Sequence, residues 1–276
     1  MSGLEGKVAF ITGAARGQGR AHAVRLARDG ADILAVDVCE TFPTQDYPNA
    51  TRDDLDETVR LVEAEGRKIV AAVADVRDRD ALQKAFDDGM ASLGRCDIVL
   101  ANAGWIRLTG GGDPVAIWKD IVDTDLTGAW NTVSVALPRL QDNGDAGGSI
   151  ILTSSTAGLR PPNSLEVGAL AYTAAKTALV GVMKQLARAL APQNIRVNTI
   201  HPTGVVSGMT MNESMAKMME EAAAGGANTI SEMLNALPVM ILQPEDVSDT
   251  VAFLVSDAAK YITGVAMPVD AGFNIR

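Results

Sequence analysis

Short apolar runs without polar alternation recur along this chain, and each leads into a stretch with helical periodicity. KVAFIT precedes GRAHAVRLARDG, ADILAVD precedes DDLDETVRLVEAEG, and KIVAAVAD precedes DRDALQKAFDDGMASLG. CDIVLAN then runs into a long helical segment from Val115 to Leu140, GSIILTSS into the helix after Gly168, and IRVNTIHP follows that helix. A strand with water on one face alternates polar and apolar residues, whereas a strand covered on both faces does not. Apolar strands interleaved with helices therefore predict an α/β fold, a doubly wound parallel sheet of about seven strands with helices on both faces. At 276 residues, a single domain spanning 1–276 is the expectation.

Two segments do not fit the repeating unit. Residues 39–52, CETFPTQDYPNATR, carry two prolines and many turn residues between a strand and its following helix. Such connections usually take only a few residues, so this one reads as an insertion. Residues 205–240 hold seven of the eleven methionines and are broken by AGGAN. Methionine is flexible and polarizable, so the cluster suits an adaptable apolar lid over a substrate. Core gap-filling or a subunit contact is the other reading.

A formal charge of -10 disfavours phosphate backbones and anionic lipid, so neither nucleic acid nor membrane is expected as a partner. Cys39, Cys96, His22 and His201 form no recognisable metal-ligand spacing, and no metal is expected. The start MSGLEGKVAF lacks a basic n-region followed by an apolar h-region, which makes a cytoplasmic, soluble protein the expectation.

VAFITGAARGQGRA places Gly13, Gly17 and Gly19 after the first predicted strand and at the start of the first helix. Without side chains there, the backbone turns sharply and approaches a pyrophosphate, which sits against the positive helix end. Asp37 ends the second strand, where an acid hydrogen-bonds the adenosine ribose and repels a 2′-phosphate. Arg16 is either a partner for such a phosphate or a solvated loop residue. Asp37 decides the expectation in favour of NAD. Asp75 and Val76 follow the third strand, where Asp75 either contacts adenine or caps the next helix. Asn102, Ala103 and Gly104 follow the fourth.

In ALAYTAAKTALVG, Tyr172 and Lys176 are four residues apart and share a helix face. A neighbouring ammonium favours phenolate, which predicts a tyrosine pKa lowered towards neutral and proton exchange with an alcohol or carbonyl oxygen. Upstream, GGSIILTSSTAG releases Ser154 and Ser155 at the end of a buried strand, where a serine can hold the substrate oxygen.

Taken in order from Lys7 to Gly272, TGAARGQG, ANAG, SS ahead of YTAAK, IRVNTIHPTG and YITGVAMPVDAG resemble the short-chain dehydrogenase/reductase family. The resemblance implies a single-domain Rossmann fold, usually tetrameric, that moves hydride between a nicotinamide and an alcohol or ketone. It makes Ser155 the family serine, Tyr172 the acid/base and Lys176 its activator. Pro202, Thr203, Gly204 and Val205 become the nicotinamide loop. The cofactor-binding set it implies is Gly13, Arg16, Gly17, Gln18, Gly19, Asp37, Val38, Asp75, Val76, Asn102, Ala103, Gly104, Tyr172, Lys176, Pro202, Thr203, Gly204, Val205, Ser207 and Met209. The 39–52 segment and the helix after it are similar to an actinobacterial subgroup linked to the redox cofactor mycofactocin, which includes carveol dehydrogenase-like enzymes. In that subgroup the extra loop is held to cover the adenine end and retain NAD, so that an external acceptor reoxidises it in place.

Three departures from the family pattern stand out. Asp125, in VDTDLTGAW, replaces an asparagine that helps a water relay protons to the lysine. It either keeps the relay by accepting hydrogen bonds or, through its charge, opposes phenolate formation. Thr203 stands where glycine is usual and Ser207 where threonine is usual. The stretch between Ser155 and Tyr172 is long, which gives LRPPNSLEVGAL one wall of the substrate pocket. The expected reaction is oxidation of a small apolar or cyclic, terpenoid-like secondary alcohol, or reduction of its ketone. An NADP-dependent carbonyl or 3-oxoacyl reductase and a non-catalytic dinucleotide-sensing protein remain the rival readings.

Overall fold

The computed structural model describes residues 3–224 and 234–276. Its centre is a parallel seven-stranded sheet in the order β3-β2-β1-β4-β5-β6-β7. The strands are β1 Val8–Thr12, β2 Asp32–Asp37, β3 Ile69–Val73, β4 Ile98–Ala101, β5 Gly148–Thr153, β6 Ile195–Pro202 and β7 Ala266–Val269. Between them run helices α1 Gly17–Arg28, α2 Arg52–Ala64, α3 Arg79–Leu93, α4 Pro114–Val122, α5 Gly128–Gln141, α6 Val167–Leu190, α7 Glu213–Ala224 and α8 Pro244–Val255.

The uninterrupted apolarity of the strands is accounted for by two cores, one on each face of the sheet. Phe10, Val99, Ile150 and Val197 pack with residues of α3, α5 and α6, and the Phe10 and Phe86 rings stand 5.1 Å apart. Ile11, Leu100, Ile151 and Ile200 face the other way, towards Leu26 of α1 and Val247 and Val251 of α8. Successive strand residues point to opposite faces, so both faces need apolar side chains when both are covered.

Strand order reverses between β1 and β4, and the crevice opens at the carboxyl ends of these two strands. Asn102, just past β4, donates to the carbonyls of Thr12 and Gly13 at 3.2 and 3.3 Å and ties the two strand ends together.

The segment from Val115 to Leu140 is helical throughout, as its periodicity implies. A π-helical turn, Asp123–Thr127, joins α4 to α5 within it. Turns of this kind bulge a helix locally and re-aim its side chains. Here the bulge holds Asp125, which is fully buried.

Candidate active site

The first turn of α1 is where a dinucleotide phosphate would be met. Helices α2, α3 and α4 are closed by side-chain caps from Thr51, Asp78 and Asp113, whereas Arg16 gives α1 none and no acid lies in its first turn. Its amide hydrogens therefore face the crevice without a side-chain competitor. A Cβ on Gly19 would lie 2.0 Å from the Gly13 carbonyl oxygen, so only glycine permits this approach of loop to helix. Gln18 Oε1 is buried with no hydrogen-bond partner among the described residues and lines the same cavity. Ser207 faces the loop from the opposite rim, its Cβ 3.1 Å from where a Gly17 Cβ would be. An uncapped helix start, a side-chain-free approach and an unpaired polar atom fit a bound pyrophosphate.

At the adenosine end, the Asp37 carboxylate accepts from the amides of Ala15 and Cys39 at 2.9 and 3.2 Å and lines the cavity. A carboxylate has about four acceptor sites, so two amides leave it able to bind ribose hydroxyls. The Arg16 guanidinium donates to the Pro48 carbonyl at 2.7 Å, which staples the 39–52 segment to the glycine loop, and the residue also lines the cavity. Asp75 is not the cap of α3, a place Asp78 takes. It accepts from the Arg77 backbone and guanidinium at 2.8 Å.

At the inner end of the cavity the two serines separate. Ser154 donates its hydroxyl to the Lys176 carbonyl at 2.8 Å, which commits it to structure. The Ser155 side chain accepts from the Ala157 amide at 3.2 Å and stands beside Tyr172, whose phenol it lowers. One helical turn beyond Tyr172, the buried Lys176 Nζ donates to the Thr153 carbonyl at 3.0 Å and stands 3.8 Å from Asp125 Oδ2 and 5.3 Å from the Tyr172 ring centre. Asp125 Oδ1 accepts from the Trp105 amide at 2.9 Å, and Oδ2 has no hydrogen bond among the described residues. Gly104 lies over the pair, and a Cβ there would come within 2.8 Å of Asp125 Oδ1 and 3.0 Å of Lys176 Nζ.

The electrostatics correct one expectation. Burial, and then the Asp125 charge, push the Tyr172 phenol above its ordinary value, against a lowering hydrogen bond from Ser155. The lysine does not pull the phenol towards neutral, because its ammonium faces the Thr153 carbonyl and Asp125. Burial lowers Lys176 and Asp125 opposes that shift, while burial raises Asp125 to about 6 against Lys176 and the Trp105 amide. Above that value Asp125 is ionised and holds the phenol up. Asp125→Asn is therefore expected to move the rising limb of the alcohol-oxidation pH profile to lower pH. The two profiles should converge where Asp125 is itself protonated. A profile that stays in place in the variant would show that Asp125 does not act on the phenol.

Ser155, Tyr172, Lys176 and every residue of the expected cofactor set line one cavity. Asp125 lies behind it, reached through Lys176. The 39–52 segment does more than face the adenine end. Phe42 lies under the Arg77 guanidinium, 3.8 Å from ring centre to Cζ, and Tyr47 is buried in a cluster with Trp105, Ile117, Ile121 and Ala171 that also touches Tyr172. The Tyr47 hydroxyl accepts from the Ile106 amide at 3.3 Å. Asp46 accepts from the Leu108 and Thr109 amides at 2.9 and 2.7 Å. Of the 205–240 segment, Met209 and Met215 line the cavity, and residues 225–233 lie outside the described residues. Sequence reasoning missed Tyr47, Trp105 and His201. An aromatic residue in a proline-rich loop is a usable signal for Tyr47, but a backbone amide from Trp105 and a histidine in an apolar strand leave none.

A cleft of this form suits a dinucleotide-dependent oxidoreductase. The family model described as Enoyl-(Acyl carrier protein) reductase matches residues 13–274. An uncharacterized oxidoreductase of Mycobacterium tuberculosis is 52% identical over 270 residues, covering 98% of this chain and 97% of the relative. A (-)-trans-carveol dehydrogenase of Rhodococcus erythropolis is 44% identical over 282 residues, covering 100% of both. A crystal structure of carveol dehydrogenase from Mycobacterium avium in complex with NAD superposes with a TM-score of 0.89 at 42% identity, covering 100% of both chains. The chain belongs to the short-chain dehydrogenase/reductase family.

Proposed function

We propose that this NAD-dependent oxidoreductase interconverts a small apolar or cyclic secondary alcohol, terpenoid-like, with its ketone. The observation that carries the reading is one cavity with the uncapped helix start and Asp37 at one end and Ser155, Tyr172 and Lys176 together at the other. Trp105, Ile106, Leu108, Met209 and Met215 line it as well, and such side chains favour an apolar substrate body. The carveol dehydrogenase relatives support the same substrate class.

Bound NAD supplies the hydride acceptor. Tyr172 takes the hydroxyl proton of the alcohol, and Ser155 holds the oxygen beside the phenol. Lys176, fixed by the Thr153 carbonyl and Asp125, would hold the ribose hydroxyls of the bound dinucleotide. In the reverse direction Tyr172 returns the proton to the ketone oxygen.

The 39–52 segment, held by Arg16, Arg77 and Asp46, serves to retain the dinucleotide, and 205–240 serves as the substrate lid. Retention makes an external redox acceptor, mycofactocin, the partner that reoxidises the cofactor. A cytoplasmic homotetramer is part of this reading, and no helix among the described residues is long and apolar enough to cross a membrane.

The test is turnover of cyclic secondary alcohols by the purified protein, with and without a dye acceptor. Repeated turnover with NAD and no preference for cyclic or terpenoid alcohols over linear polar ones would contradict the substrate class. Cofactor choice is checked with Asp37→Ala. Loss of charge-assisted hydrogen bonds to the ribose is expected to weaken NAD by about 10- to 100-fold. The ratio of NAD to NADP affinity should fall with it. A wild type that favours NADP, with the ratio unchanged in the variant, would overturn Asp37 as the selecting residue.

A further inference from the structure

We infer that His201 is a positioning residue that fixes the Ser155 peptide, and with it the serine hydroxyl, against the end of β6. The inference rests on the reading of Ser155 given above. β5 and β6 pair in parallel up to Thr153 and Ile200, and the Ser154 amide makes the last bond, to the Ile200 carbonyl at 2.9 Å. In a parallel ladder the next donor along β6 is the amide of residue 202, and that residue is proline, which has none. Backbone pairing stops there, one residue before the serine that the chemistry needs.

The His201 side chain takes over at that point. Its Nδ1 stands 2.8 Å from the Ser155 carbonyl oxygen, and its Nε2 stands 2.8 Å from Thr199 Oγ1. A carbonyl only accepts, so Nδ1 carries the proton, and the neutral ring then accepts at Nε2 from the Thr199 hydroxyl. Burial, with Lys176 nearby, disfavours the charged ring. His201 and Thr199 are both fully buried. The Ser155 carbonyl also accepts from the Gly158 amide at 3.0 Å, so the peptide is gripped from two sides. Pro202, the next residue, lines the cavity, so one ring links the serine to the start of the expected nicotinamide loop.

The experiment compares the wild type, His201→Leu and His201→Asn as purified holoprotein. Leucine keeps the bulk and removes the donor, whereas asparagine keeps a donor near the Nδ1 position. His201→Leu is expected to lose about 10- to 100-fold in kcat, the scale of a misplaced reacting group. NAD affinity should be unchanged. The rising limb of its pH profile should move to higher pH, because a well-placed Ser155 lowers the phenol. His201→Asn should recover most of the lost kcat and the wild-type profile. Nitrogen-15 histidine NMR of the wild type supplies a readout free of turnover, and the chain has only His22 and His201 to assign. The His201 proton is expected on Nδ1, with no titration across neutral pH. A proton on Nε2, or wild-type kcat and pH profile in His201→Leu, would overturn the inference. If His201→Leu does not fold, the NMR result and His201→Asn decide. If the wild type oxidises no alcohol, the functional reading fails, while the NMR result still decides whether His201 grips the serine peptide.

Discussion

Tyr172→Phe is expected to lower kcat by about 10²- to 10⁴-fold, the usual contribution of a positioned acid/base, while NAD binds as in the wild type. The substitution removes one oxygen and leaves the ring packed with Ala171 and Trp105 in the cluster that the 39–52 segment covers. It touches none of the glycine loop or Asp37, so dinucleotide affinity measured by titration should not change. The loss should appear in kcat and in kcat/KM alike, because the phenol acts in the transition state. Wild-type turnover in the variant across several secondary alcohols would refute Tyr172 as the base.

Lys176→Met is expected to cost both activity and stability. The lysine and Asp125 are both buried, and they are 3.8 Å apart. Removing the cation leaves a buried carboxylate unpaired, which typically costs about 3–5 kcal/mol. The sign with pH follows from Asp125, whose carboxyl burial already raises to about 6. Without Lys176 it rises further. A carboxyl raised in the folded state is stabilising to keep protonated, so stability is present at low pH and is lost as pH rises through the folded value. Denaturant unfolding should therefore show the larger deficit at mildly alkaline pH and a smaller one at mildly acidic pH. Adding Asp125→Asn removes the stranded charge and should restore most of the stability, with turnover still lost. An equal deficit at both pH values, or no rescue by the second substitution, would show that the pair is not electrostatically coupled.

The sheet was legible because both of its faces are covered. Phe10 and Ile11 serve opposite cores, so their strand had to be apolar throughout, and the same holds for Ile150 and Ile151. The glycine loop and the Tyr172–Lys176 spacing were legible because each is local, one turn of backbone or one turn of helix. What escaped depends on contacts distant in sequence. Nothing in ALAYTAAKTALVG says that the ammonium will face Thr153 and Asp125 and leave the phenol raised. The π bulge at Asp123–Thr127 escaped for a related reason, since VDTDLTGAW keeps helical periodicity through a bulge that only tertiary packing selects. The contact of Arg16 with the Pro48 carbonyl, 32 residues on, escaped in the same way. His201 lies in an apolar strand and reads as core, and only its 2.8 Å contact with the Ser155 carbonyl marks it.

The most direct test of the central claim, proton removal by Tyr172 coupled to hydride departure, is a single turnover of NAD-loaded protein with an alcohol deuterated at its carbinol carbon and no external acceptor. One reduced nicotinamide per subunit is expected, with deuterium at C4, formed more slowly than with the protiated alcohol and at a rate that rises with pH in the wild type. Tyr172→Phe should form almost none on that timescale. Equal formation in the variant, or reduced nicotinamide without the deuterium, would contradict it.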